Sequence, residues 1–200
     1  VSPLAVGQDT EPATEHPVTA ASSMEEIREA LMPFEPPADR AELPAATAEL
    51  FAKMKQGTEA SAKVFAGLSA EQLNFRPANG SHTPRWNAEH NSATQLLFFS
   101  QIYNAVDSRI PVMKWMPKQM PDDYQAAHPN WDGKQEAAKM LAVDEFCQRY
   151  AYLIADVDLD AKPENTFWPS YRALLMKMPD HMAEHTANVK KKFDAEGWPE

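Results

Sequence analysis

One cysteine, Cys147, is all the thiol that 200 residues carry, which excludes an intrachain disulfide and any zinc site built on several thiolates. Cys147 keeps helical step with Met140, Val143, Tyr150 and Ile154, so it reads as a buried apolar side chain rather than a reactive thiol. No run of 18 apolar residues occurs, and no membrane-spanning helix is expected. Strand-like alternation of apolar and polar residues is missing throughout, which leaves an all-α fold. The chain also lacks a basic stripe. Its net charge of −10 is concentrated at one end: residues 1–44 hold nine acids against two bases, and the other 156 hold twenty against seventeen. Nothing there would neutralise a phosphate backbone, so nucleic acid is not an expected partner.

Aromatic residues are absent before Phe34, while seven of the seventeen prolines fall within residues 1–44. Such a segment buries too little apolar surface to offset the entropy of ordering it. Residues 1–43 are therefore expected as a flexible leader, dispensable for folding over residues 1–22. Within it, Ser23-Met-Glu-Glu26 has capping-box spacing and predicts a short helix over 24–32, ended by Pro33, Pro36 and Pro37. The chain opens on Val1, which is compatible with a cytoplasmic protein and with one exported after losing a signal peptide.

Residues 44–200 read as one helical domain. From Pro44, Leu50, Phe51, Met54, Val64, Phe65 and Leu68 recur at three- and four-residue steps, with Gly57, Thr58 and Ser61 at or beside the stripe where a neighbouring helix would approach closely. Pro77, Gly80 and Pro84 mark a loop, and Trp86–Val106 follows as a strongly apolar helix. Residues 109–131, with Pro111, Pro117, Pro121 and Pro129, are expected as an irregular lid, with a pocket beneath Trp115 and Trp131. Asp132 caps a third helix whose stripe reaches Val157, and Ser170 caps a fourth through Phe193 that Pro179 should bend. Four long helices without strands predict a four-helix bundle.

His181 and His185, four residues apart, share one face of the last helix and can clamp a divalent metal if another element supplies a third ligand. His90, in the first turns of the Trp86 helix, is the best-placed candidate, although taken alone it also reads as a packed histidine. His16 in the leader and His82 and His128 in loops are expected to be solvated, with the last two as reserve ligands if the lid folds inward. The same residues spell His-x-x-Glu-His, the inverted zinc-peptidase motif with Glu184 as base. That chemistry requires an α/β framework, which the helical pattern does not offer. Glu184 and Glu89 each lie one residue from a histidine, about 100° round the helix, and are expected in solvent.

Leu68-Ser-Ala-Glu-Gln-Leu-Asn-Phe-Arg-Pro77, then Trp86-Asn-Ala-Glu-His90, then His181-Met-Ala-Glu-His185, together resemble the DinB/YfiT-like superfamily over about residues 44–195. The resemblance implies a four-helix bundle, often a homodimer, with a divalent metal, zinc or nickel, held by His90, His181 and His185. The chain departs from many relatives in one respect. Their second-helix histidine falls two turns after the tryptophan, where Thr94 stands here, whereas His90 falls one turn after Trp86. The resemblance further implies a thiol-dependent S-transferase or isomerase that uses a low-molecular-weight thiol on a small-molecule substrate, with Arg76 or Arg172 available to orient an acidic group. The competing expectation is a non-catalytic bundle, with a structural metal or none, acting as a binding module. A fourth ligand would favour the structural reading, and an open position the catalytic one.

Overall fold

The computed structural model describes residues 22–119 and 122–200, and every regular element among them is helical. The leader expected over residues 1–22 lies, but for Ser22, outside the described residues, as does His16. The elements are α1 (Met24–Leu31), α2 (Ala45–Phe65), α3 (Ala70–Asn74), α4 (Pro84–Val106), α5 (Gly133–Arg149), a 3-10 turn (Ala151–Ile154) and α6 (Tyr171–Lys190).

The starts of these helices are written in short polar side chains. Ser23 closes a capping box with Glu26, Ser69 with Gln72 and Asp132 with Gln135, each satisfying amide protons that a helix start would otherwise leave bare. Thr83 caps α4 with Pro84 in the first turn, and Ser170 caps α6. α5, the helix capped by Asp132, is shorter than its apolar stripe suggests. It ends at Arg149, where the Tyr150 hydroxyl donates to the Phe34 carbonyl at 2.6 Å and the backbone tightens into three-residue bonds, Leu153 N–H to Tyr150 carbonyl among them. Val157 lies beyond this turn.

α2 packs against α5 and α6, and α4 packs against the same two helices, so α2 and α4 stand at opposite corners. Gly57 lets α2 meet α6: a Cβ on it would lie 3.0 Å from the Cα and Cβ of Pro179, the close helix contact that the sequence suggested. Pro179 itself lies inside α6 without ending it. α1 buries Ile27 and Leu31 completely in the main core beside Phe51, Phe99, Phe146 and Cys147. A smaller cluster of Phe65, Leu68, Leu73, Ala88, Met140, Met182 and Val189 fills the other end.

α4 is buried on nearly all sides, yet it carries Arg85, Asn87, Glu89, Asn91 and Gln95 among its buried residues. Several of these polar groups strap down the irregular segment before α5. Arg85 donates to the carbonyls of Pro129 and Trp131 at 3.1 and 2.7 Å, and the Trp86 indole N–H donates to the Lys118 carbonyl at 2.8 Å. Glu89 accepts from the Tyr124 hydroxyl and the Ala127 amide at 2.8 and 2.9 Å. Expected in solvent, Glu89 is instead 3 % exposed, because the lid brings it two donors that replace water.

Candidate metal centre

The capping of α4 fixes the first wall of the site. Thr83 accepts from the Trp86 amide at 3.1 Å, and its carbonyl accepts from the Asn87 side-chain amide at 2.8 Å. With Nδ2 committed there, the Asn87 Oδ1 faces His185 Nδ1 at 2.8 Å. An amide oxygen only accepts, so His185 carries its proton on Nδ1 and leaves Nε2 with a free lone pair.

α4 and α6 then bring three imidazoles together. Nε2 of His90 lies 3.2 Å from Nε2 of His181, and one ring nitrogen from each of His90, His181 and His185 falls within 4.8 Å of the others. Two ligands at about 2 Å from a tetrahedral ion are separated by about 3.3 Å. The His90–His181 spacing thus fits a shared cation as well as it fits a direct hydrogen bond. Burial, followed by His185, His181 and His82, pushes the His90 pKa down to about 3. Burial and then His181 push His185 down to about 4, and burial also lowers His181. All three rings are neutral at physiological pH, the form that donates a lone pair.

The two reserve candidates, His82 and His128, do not join the cluster. His82 stacks on Trp86 at a centroid distance of 3.6 Å, and Trp86 stacks in turn on His90 at 4.5 Å, both nearly parallel, so the indole stands between the two histidines. His128 is not solvated as its loop position suggested. It is 5 % exposed, stacked on Trp131, with Nε2 3.0 Å from the Ser22 carbonyl. Glu184 is exposed and accepts from Lys177 at 2.7 Å. Among the described residues, no acid or fourth histidine joins the cluster.

His90 and His181 open into a cavity of about 280 Å³ whose remaining wall is mainly apolar: Leu97, Phe98, Met116, Trp168 and Met178, with Phe167 and Lys177. Phe167 is 74 % exposed. Thr94 lines the same cavity, its hydroxyl 3.5 Å from His90 Nε2 and 3.8 Å from the Met116 sulfur. The pocket is therefore not the one expected beneath Trp115 and Trp131. Trp115 packs against the main core, Trp131 stacks on His128, and aromatic residues of the α5–α6 connection take their place. Arg172 pairs with Asp160 at the surface and Arg76 lines a separate cavity of about 150 Å³, so Lys177 is the cation at the apolar cavity. Sequence reasoning missed Asn87, whose signal was its place three residues before His90 on the same helix.

Residues 53–188 match the sequence profile of the DinB superfamily. No curated protein and no solved structure shows a significant match.

Proposed function

The chain belongs to the DinB superfamily, and from that premise we propose that His90, His181 and His185 hold one divalent metal, zinc or nickel, in a transferase or isomerase that joins a small thiol to an apolar electrophile. The observation that carries this reading is the cluster of three neutral imidazoles, joined by no fourth ligand among the described residues and opening into an apolar cavity. A closed structural site would draw a fourth side chain. Here His82 and His128 are held elsewhere by stacking. When bound, a divalent cation supplies Lewis-acid chemistry, lowering the pKa of a thiol or water at its remaining coordination position.

The chain's own residues supply the rest. Asn87 holds His185 in one tautomer and orientation. Leu97, Phe98, Met116 and Met178 give an electrophile an apolar seat. Thr94 sets a hydroxyl beside His90 that can hydrogen-bond a bound nucleophile. Lys177, paired with Glu184 at 2.7 Å, lies on the cavity wall and could turn to an acidic part of the substrate only by giving up that carboxylate. Cobalt-substituted protein tests the reading. Adding a small thiol such as 2-mercaptoethanol should produce a sulfur-to-cobalt charge-transfer band, and the His181→Ala, His185→Ala variant should show none. A four-ligand cobalt spectrum that no thiol alters would replace the enzyme with the structural-site alternative.

A further inference from the structure

A second cavity, of about 400 Å³, shares no lining residue with the apolar one. It opens between the end of α6, the start of α4 and the loop that precedes α4. Its polar wall is Asn79, Ser81, His82, Asn188, Lys191 and Lys192, and no carboxylate contributes to it. Lys192 is 7 % exposed. Its ammonium donates to the Asn188 carbonyl at 2.8 Å, and among the described residues neither lysine has an acid within ion-pairing distance.

Lysines at the end of a helix are favoured by its bare carbonyls, which accounts for one of the three protons on Lys192. Among the described residues the others have no protein acceptor, and a lysine so little exposed gains from an anion beside its ammonium. The Nδ1 of His82 is likewise buried without a partner. The Asn79 oxygen accepts from the Ser81 amide at 3.0 Å, which leaves the Asn79 NH2 free to donate. Every one of these groups can serve an acceptor that the chain itself does not provide.

We propose that this cavity binds a small molecule through a carboxylate or phosphate group placed between the ammonium groups of Lys191 and Lys192, with Asn79 and Ser81 as neutral donors. The volume suits a small metabolite rather than a macromolecule, and the excess of positive charge selects an anion. Asn87 and His185 line the same cavity, so the ligand sits against the pair that sets the orientation of one triad histidine. The proposal does not rest on the metal reading.

Isothermal titration of the full-length protein at low ionic strength, with inorganic phosphate and with malonate in separate arms, tests it and distinguishes the two sources of negative charge. Saturable one-site binding of one probe is expected. Lys192→Gln and the exposed Lys191→Gln should each weaken it at least about tenfold. The His90→Ala, His181→Ala variant, whose changes lie outside this cavity, should bind with unchanged affinity. Lys191→Gln carries the test if Lys192→Gln does not fold. Three results would overturn the proposal: no saturable binding of either probe up to about 10 mM, unchanged affinity in Lys191→Gln, or loss of binding in the histidine variant, which would place the anion at the triad.

Discussion

Gly133 donates its backbone N–H to the carbonyl of Leu68 at 2.8 Å, tying the first residue of α5 to the chain just beyond α2. The approach is so close that a Cβ on Gly133 would fall 1.9 Å from the Phe65 carbonyl oxygen and 2.6 Å from that of Leu68. Both obstacles are backbone atoms and cannot rotate away. Gly133→Ala should therefore cost about 3 kcal/mol or more, despite the higher helix propensity of alanine. Urea unfolding reads this as a lower midpoint, and a midpoint equal to that of the wild type would show that the two segments separate without penalty.

Asn87 gives a sharper test of the histidine cluster than removal of a histidine does. Asn87→Ala removes the acceptor that fixes His185 and leaves all three rings in place, so metal affinity should fall by about 10- to 100-fold. Asn87→Asp restores an acceptor and should recover most of the loss. Competition with a chromophoric chelator measures both variants. Equal affinity in Asn87→Ala and wild type would remove Asn87 from the site.

The bundle was legible because its signals are local. Ser23, Asp132 and Ser170 mark helix starts through bonds three residues away, and the His181–His185 spacing needs nothing beyond one helix. What the sequence hid depends on contacts between distant segments. The burial of Glu89 and His128 follows from where the lid folds, and Ser22, the partner of His128, is 106 residues away. The cavity wall draws on Phe167 and Trp168, in a connection whose course no periodicity reveals. Tyr150 keeps helical step with Cys147, yet the α-helix ends before its apolar stripe runs out, at the residue whose hydroxyl bonds Phe34, 116 residues distant.

Arg85 and Glu136 are both almost completely buried, 2.8 Å apart. Burial, reinforced by Glu89, holds the Glu136 carboxyl up at about 7, although Lys139 and Arg85 pull against the rise. Arg85→Met should destabilise by about 3–5 kcal/mol, since it strands a buried carboxylate. Adding Glu136→Leu should recover part of that loss. The carbonyls of Pro129 and Trp131 still lose their donor, so the double variant should be cleaved faster than wild type within residues 109–131 under limited proteolysis. A double variant less stable than Arg85→Met would contradict this account of the pair.

His128 should make the metal-free protein sensitive to acid. Its pKa is pushed from 6.5 down to about 4, first by burial, then by Lys139, with the Ser22 carbonyl opposing and Arg85 adding to the fall. The neutral ring donates from Nε2 to Ser22, which leaves the buried Nδ1 as a lone pair without a partner. Protonation would create an N–H there with nothing to receive it. Between pH 6.5 and about 4 the unfolded chain therefore binds a proton that the folded chain refuses. Stability from this group is complete above 6.5 and declines as the pH falls towards 4. His90 and His185, also lowered by burial, add to the decline in the same direction. His128→Gln should be less stable near neutrality, because the stack on Trp131 is lost, yet its unfolding free energy should fall less steeply over that interval. Urea titrations of metal-free wild type and variant across it would show this, and parallel slopes would mean that His128 does not resist protonation in the folded protein.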